Sequence, residues 1–246
     1  MKSVKSRFRK FGIGLIFIAA SGVMITACNK SDNDNIDVPA AGLMAFNLAS
    51  DQPAVGIALS GNSINPSPLS YTAFTGQYIN IYPGNRTVEA YDFISNAGFT
   101  ESNFNFEPDK YYSLFVVGAD SVYKNIVVTD NFDSLSSTDG KAYIRYVNAI
   151  PDSSQPVVKI NSGATEAVNE AAPFTKVSSF FAVNPGAINI EIKNGGNISA
   201  TRTIEVADKK AYTILFAGQP GEPNNDKAIQ IRFIQNGTLT DSTTKN

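Results

Sequence analysis

An internal repeat of about 100 residues is the feature that most constrains the fold of this chain. Three short segments recur in the same order, at offsets of 148 − 47 = 101, 184 − 82 = 102 and 212 − 112 = 100. The paired segments are Asn47 to Asp51 with Asn148 to Asp152, Tyr82-Pro83-Gly84 with Asn184-Pro185-Gly186, and Tyr112-Ser113-Leu114 with Tyr212-Thr213-Ile214. The repeat therefore predicts two copies of one domain.

The hydrophobic pattern within each copy is that of β-strands. Ile188, Ile190 and Ile192 alternate with polar residues, which is the period of a strand buried on one face. Tyr111 to Val117 and Tyr212 to Ala217 are apolar on both faces, as expected of central strands. Glu166 to Ala172 is predicted to form one helical turn at most.

About seven short strands per copy, separated by turn residues, predict an all-β protein with two tandem immunoglobulin-like β-sandwiches. The predicted segments are a signal peptide at 1–27, a lipidated flexible tether at 28–40, copy one at 41–131, a linker at 132–141, copy two at 142–237 and a tail at 238–246.

The N-terminus has the order of a secretory signal. Five basic residues precede an apolar run from Phe11 to Ala20, and small residues lead to Cys28, the only cysteine. Ile25-Thr26-Ala27-Cys28 resembles a bacterial lipobox, which implies cleavage before Cys28, acylation of that residue and a membrane partner. The alternative is an uncleaved anchor, although a membrane span usually needs about 20 apolar residues.

Composition excludes several functional classes. Without the five basic residues of the signal, 15 Lys and Arg stand against 22 Asp and Glu, a net charge near −7. Nucleic-acid binding, which needs clustered cations, is not expected. The chain has no histidine, so it offers no imidazole base or ligand. We expect no enzymatic activity, no cofactor and no metal site.

The segment that follows Cys28 bears on localisation. Ser31-Asp32-Asn33-Asp34 resembles the acidic signal that exports lipoproteins of Bacteroidota to the cell surface. We therefore expect an outer-membrane protein on the cell surface, with a periplasm-facing position as the alternative. An ordinary solvated linker would have the same composition.

A family resemblance follows from the turn segments of copy two. A strand that ends Asn148-Ala149-Ile150-Pro151-Asp152, a turn at Gly163 and Pro185-Gly186 before a strand resemble the DUF4397 domain. Copy one departs from this pattern at Ser50-Asp51-Gln52-Pro53. The resemblance implies a β-sandwich in secreted proteins and lipoproteins, and it implies no reaction.

Candidate binding and modification sites are few. Tyr91 is the aromatic residue most expected to be exposed, and the loop Gly218–Lys227, with Asn224, Asn225 and Asp226, is a second possible binding surface. Ser121, Ser134 and Ser242 follow aspartate in segments that resemble a bacterial O-glycosylation signal. The motif is short and common, so coincidence equally explains each match.

The expected function is a non-enzymatic outer-membrane lipoprotein whose sandwiches serve binding or a structural role in the cell envelope. The alternatives are a fimbria-like filament subunit or anchor, and a polysaccharide-binding accessory protein. Possible partners are a surface glycan or another envelope protein.

Cys28→Ser tests the anchor. Because serine has no thiol to acylate, we expect the variant to leave the membrane fraction. Cell fractionation followed by blotting measures this. The wild-type chain is the control. If the variant stays with membranes and no longer hydrophobic segment accounts for that, lipidation at Cys28 is contradicted.

Overall fold

The computed structural model describes residues 38–222 and 225–240. The signal peptide, Cys28, Asn224 and Ser242 lie outside the described residues. Within them the regular elements are sixteen strands and one 3-10 helix, Phe132–Ser134, so the predicted all-β class is confirmed. The strands are β1 Ala41–Ala49, β2 Val55–Leu59, β3 Asn62–Ser63, β4 Ile79–Ile81, β5 Gly84–Asp92, β6 Gly98–Phe106, β7 Tyr111–Ala119, β8 Val122–Thr129, β9 Ala142–Asn148, β10 Val157–Ser162, β11 Thr165–Ala171, β12 Phe181–Val183, β13 Gly186–Lys193, β14 Ser199–Val206, β15 Lys210–Ala217 and β16 Gln230–Thr238.

Each copy is a sandwich of two four-stranded sheets. In copy one, β3-β2-β5-β6 forms the outer sheet and β4-β1-β7-β8 the inner sheet. In copy two, β11-β10-β13-β14 is the outer sheet and β12-β9-β15-β16 the inner sheet. The first strand of each inner sheet pairs in parallel with its third, β1 with β7 and β9 with β15. The two predicted sandwiches are thus confirmed.

The four sheets are stacked, and an apolar core lies between each sheet and the next. One core joins the two sheets of copy one, around Leu43, Ile57 and Leu114, and a second joins those of copy two. The third contains Phe46 and Phe115 from one inner sheet and Val147 and Leu215 from the other. The inner sheets therefore pack face to face, and we call this interface the seam.

Burial on both faces explains the composition of the inner strands. Every residue of β1 and β9 is buried, as are eight consecutive residues of β7. Such strands need apolar side chains on both faces, and their sequences have them. The isoleucines predicted inward in β13, by contrast, alternate with exposed or half-buried polar residues.

The chain enters and leaves both copies at one end of the stack, which we call the near end. The Asp109 amide donates to the Ala40 carbonyl where β1 begins, and the Lys209 amide donates to the Lys141 carbonyl where β9 begins, each at 2.8 Å. Asp130 follows β8 at this end, and Leu239 follows β16 there. The β5–β6, β7–β8 and β15–β16 connections lie at the opposite, far end.

Two predictions about local structure were wrong or incomplete. The segment predicted to be at most a helical turn, Glu166 to Ala172, is mostly strand β11, because pairing with β10 and the packing of Ala167 and Val168 on the core override the helix propensity of Glu and Ala. Strand β6 was not predicted, since an edge strand with exposed polar residues lacks a continuous apolar pattern.

Gly118 and Gly218 occupy matching positions at the far ends of β7 and β15. They have φ of 125° and 123°, and a Cβ on Gly118 would lie 2.1 Å from the Val122 carbonyl oxygen. Backbone atoms on the neighbouring strand therefore exclude any side chain at this position.

Gly118→Ala should lower the free energy of unfolding by about 3 kcal/mol, since both the positive φ and the clash must be relieved. Urea denaturation measures this loss. Gly196→Ala is the matched control, because only the Asn194 side chain, at 3.5 Å, lies near its added Cβ. Equal stability of the two variants would contradict the conclusion that backbone atoms exclude a side chain at Gly118.

Candidate functional site at the seam

A buried ion pair crosses the seam. Arg145, on β9 of copy two, donates through Nη1 to Oδ1 of Asp130, which follows β8 of copy one. Both residues are buried. Removing two such charges from water is costly, so the pair is stable only if the remaining polar atoms are also satisfied.

Neighbouring hydroxyl groups from both copies supply those partners. Asp130 Oδ2 accepts from Tyr78 Oη at 2.5 Å and from Ser113 Oγ at 2.7 Å. Arg145 donates through Nη2 to Ser113 Oγ at 2.6 Å and through Nε to Thr213 Oγ1 at 2.9 Å. The two charges are therefore held in one network that includes both inner sheets.

The network continues to Asn236 on β16. Thr213 Oγ1 donates to Asn236 Oδ1 at 2.6 Å, and Asn236 Nδ2 donates to Tyr78 Oη at 3.2 Å. Burial raises the pKa of Tyr78, and Asp130 raises it further through its charge and hydrogen bond. Tyr78 thus remains a neutral donor to the carboxylate.

The repeat identifies which part of this network is asymmetric. Ser113 and Thr213 are equivalent, and each hydroxyl donates to an acceptor, Asp130 or Asn236. Met44 occupies the position equivalent to Arg145, at the offset of 145 − 44 = 101. One copy therefore contributes the cation and the other the anion.

A partly open cavity of about 290 Å³ lies beside the ion pair. Its walls come from the end of β8, from the linker and from the segment before β12, and Arg145 forms part of its lining. Residues of both copies line it. Its surface combines Ser, Thr and Asn side chains with Phe180 and Leu135.

A second contact between the copies lies nearer the far end. Burial raises the pKa of Tyr71 to about 12, against the opposing effects of the Gly218 backbone and the Arg232 charge. Gly218 begins the predicted binding loop of copy two. Part of that loop therefore lies against copy one instead of projecting freely.

The described part of this loop is internally bonded. The Gln219 amide donates to the Lys227 carbonyl at 2.7 Å, and Asn225 Oδ1 accepts from the Lys227 amide at 2.8 Å. Asn225 Nδ2 also donates to Glu222 Oε2 at 2.8 Å. Asn225 thus holds a turn, while Asp226 is an exposed residue whose charge acts on Tyr71.

Tyr91 lies on the outer sheet of copy one, far from the loop of copy two. Its ring covers Gly56, where an added Cβ would meet ring atoms at 2.2 Å, and its hydroxyl donates to Ser63 Oγ at 3.0 Å. The Phe93 ring is nearly parallel to it, with centroids 6.3 Å apart. Tyr91 is half-buried, whereas Tyr82 is 69% exposed.

Two of the predicted glycosylation sites fall on described, exposed residues. Ser121 has φ of 68° in the turn between β7 and β8, and Asp51 Oδ2 accepts from the neighbouring Asp120 amide at 2.9 Å. Ser134 ends the 3-10 helix and lines the seam cavity, where its Oγ donates to the Asn131 carbonyl at 2.7 Å. Modification of either residue stays a prediction.

Sequence reasoning did not find Arg145 and Asp130. Alternation along a strand assigns a charged residue to solvent, and Asp130 stands at the border of the linker. A residue-by-residue comparison of the two copies contains a signal, because methionine in one copy is replaced by arginine in the other.

Within the described ranges, no three acidic, histidine or cysteine side chains gather as a metal site would require. In the same residues, no helix is long and apolar enough to cross a membrane.

Family comparison matches the domain of unknown function DUF4397 twice, over residues 41–161 and 142–245. These matches span well over half of the sequence. The chain belongs to the DUF4397 family. A comparison with curated protein sequences finds no significant match.

Solved structures similar to this DUF4397 protein share little sequence with it. A candidate cell adhesion protein from Bacteroides eggerthii DSM 20697 is 12% identical, with a TM-score of 0.26, over 82% of this chain and 97% of its own. A family 41 carbohydrate-binding module from streptococcal virulence factors, reported to recognise α-glucan, is 10% identical, with a TM-score of 0.24, over 76% and 97%. TM-scores this low do not establish a common fold.

Arg145→Met places the copy-one residue in copy two. We expect it to lower the free energy of unfolding by about 3–5 kcal/mol, because Asp130 is left as a buried, unpaired charge. Urea denaturation at neutral pH measures the loss.

The double variant Asp130→Asn, Arg145→Met is the control. It removes both charges and restores the amide–hydroxyl pairing that copy two already uses, so we expect it to recover most of the loss. A double variant as unstable as Arg145→Met would mean that lost packing, and not the unpaired charge, causes the effect.

The raised pKa of Tyr71 predicts a loss of stability in alkaline solution. The tyrosine is neutral in both states below pH 10, and above it the unfolded chain ionises first, so stability falls between about pH 10 and 12. Raising the pKa of this tyrosine from 10 to about 12 corresponds to a loss of about 2–3 kcal/mol of folding stability above pH 12. Denaturation at pH 9 and 11.5 should show a smaller fall in Tyr71→Phe than in wild type. An identical fall would place Tyr71 in water.

Proposed function

We propose that this DUF4397 protein is a non-enzymatic, lipid-anchored protein of the outer membrane that displays its two sandwiches at the cell surface as one binding unit. The observation that carries the proposal is that the ends of both copies, where the chain enters and leaves, lie at the same end of the stack. The chain enters copy one, passes between the copies and leaves copy two at the near end. An anchor at Cys28 would therefore attach at that end.

The far end carries the connections that differ between the copies. Copy one has a β5–β6 turn with Ile94 82% exposed, whereas copy two has Asn194 to Asn197 at the equivalent turn. Copy two has the long Gly218–Lys227 loop where copy one has a tight turn at Asp120. Variable loops on a rigid scaffold are the usual place for binding.

The seam gives this unit its rigidity. The third core and the Asp130–Arg145 network hold the inner sheets together, so the two copies would act as one unit on the tether. A tethered binding protein needs such a connection, because motion between its domains would add an entropic cost to each contact.

Cleavage on intact cells tests the surface position. A recognition site for a sequence-specific protease, inserted after Asp37, should be cut by protease added to living cells, and blotting should show release of the folded part. The same insertion with Asp32→Ala and Asp34→Ala is the matched variant, and we expect it to be protected.

A periplasmic marker that stays intact controls for lysis. Full protection of the inserted site on intact cells, with cleavage after permeabilisation, would contradict surface display and leave a periplasm-facing protein.

A further inference from the structure

The seam cavity has side chains that are free to bind a ligand. Thr129, Asn131 and Ser179 line it and are exposed. In the part of the chain that the structure describes, the hydroxyls of Thr129 and Ser179 and the side-chain amide of Asn131 make no hydrogen bond with protein. Hydroxyls and amides both donate and accept, so together these three groups offer several directed contacts.

The floor of the cavity is rigid and electrically compensated. The Arg145 guanidinium is fixed by Asp130, Ser113 and Thr213, and its carbon lies 4.6 Å from the centroid of the Phe180 ring. Because Asp130 already pairs with this cation, the cavity has little attraction for an anionic ligand. A preformed floor also removes the cost of ordering these side chains on binding.

The shape and chemistry restrict the class of ligand. A volume of about 290 Å³ lies at the lower end of the usual range for small-molecule pockets, so it holds one ring and not an oligomer. A purely apolar ligand would leave the hydroxyls and the amide without partners, which is unfavourable. A ring with several hydroxyl groups would satisfy them, while Phe180 and Leu135 contact its apolar face.

We propose that the seam cavity binds one sugar unit of a neutral saccharide. Both copies contribute to this site, since Thr129 belongs to β8 and Ser179 to the segment before β12. The inference rests on the proposed binding function and names its ligand class. It predicts that neither copy would form the site without the other.

Isothermal titration calorimetry of the detergent-solubilised mature chain tests the site. The probes are five neutral trisaccharides: maltotriose, cellotriose, xylotriose, mannotriose and chitotriose. We expect at least one to bind. Ser179→Tyr, which fills the cavity, should weaken that binding at least about tenfold, a change that calorimetry resolves readily.

Two further variants control for non-specific effects and for misfolding. Ser199→Tyr makes the same substitution at an exposed strand residue away from the seam and should bind within about twofold of wild type. Asn131→Ala removes an amide without adding bulk and should also weaken binding, which covers the case in which Ser179→Tyr fails to fold.

No binding of any probe, or binding that Ser179→Tyr and Asn131→Ala leave unchanged, would overturn the proposal and leave a cavity that holds water only. Surface display is measured by cleavage on cells, so its failure is distinguishable from failure of this site.

Discussion

The buried ion pair between Asp130 and Arg145 is the contact on which the arrangement of the two copies depends. Each charge has left water. Asp130 is satisfied by two hydroxyl groups of copy one, and Arg145 by one hydroxyl group from each inner sheet. A buried pair of this kind contributes little net stability compared with apolar packing, but an incomplete one is strongly destabilising. It therefore fixes the relative position of the packed inner sheets, while the third core supplies the buried apolar area between them.

The pair also explains how a repeated domain forms one specific interface. Two identical copies would present the same face to each other, with methionine opposite methionine or arginine opposite arginine. Met44 and Arg145 break that symmetry, and Asp130 gives the arginine its partner on the other copy alone. The proposed function depends on this arrangement, because the seam cavity and the shared near and far ends form only when the two copies pack in this way.

Sequence patterns predicted the parts of the fold that local chemistry determines. Ile188, Ile190 and Ile192 are buried as their period requires, and the repeat predicted two sandwiches. The seam was beyond this reasoning, because burial of the second face of β9 depends on another copy, and local alternation places Arg145 in solvent. The same limit applies to Tyr91, because the sequence pattern that favours its exposure does not reveal that its ring covers Gly56.

Differential scanning calorimetry tests most directly whether the seam makes the two copies one body. If the ion pair and the third core couple them, residues 41–239 unfold in one transition, and the calorimetric enthalpy equals the van't Hoff enthalpy. Two separate transitions, or a calorimetric enthalpy about twice the van't Hoff value, would show that the copies unfold independently and would contradict the account.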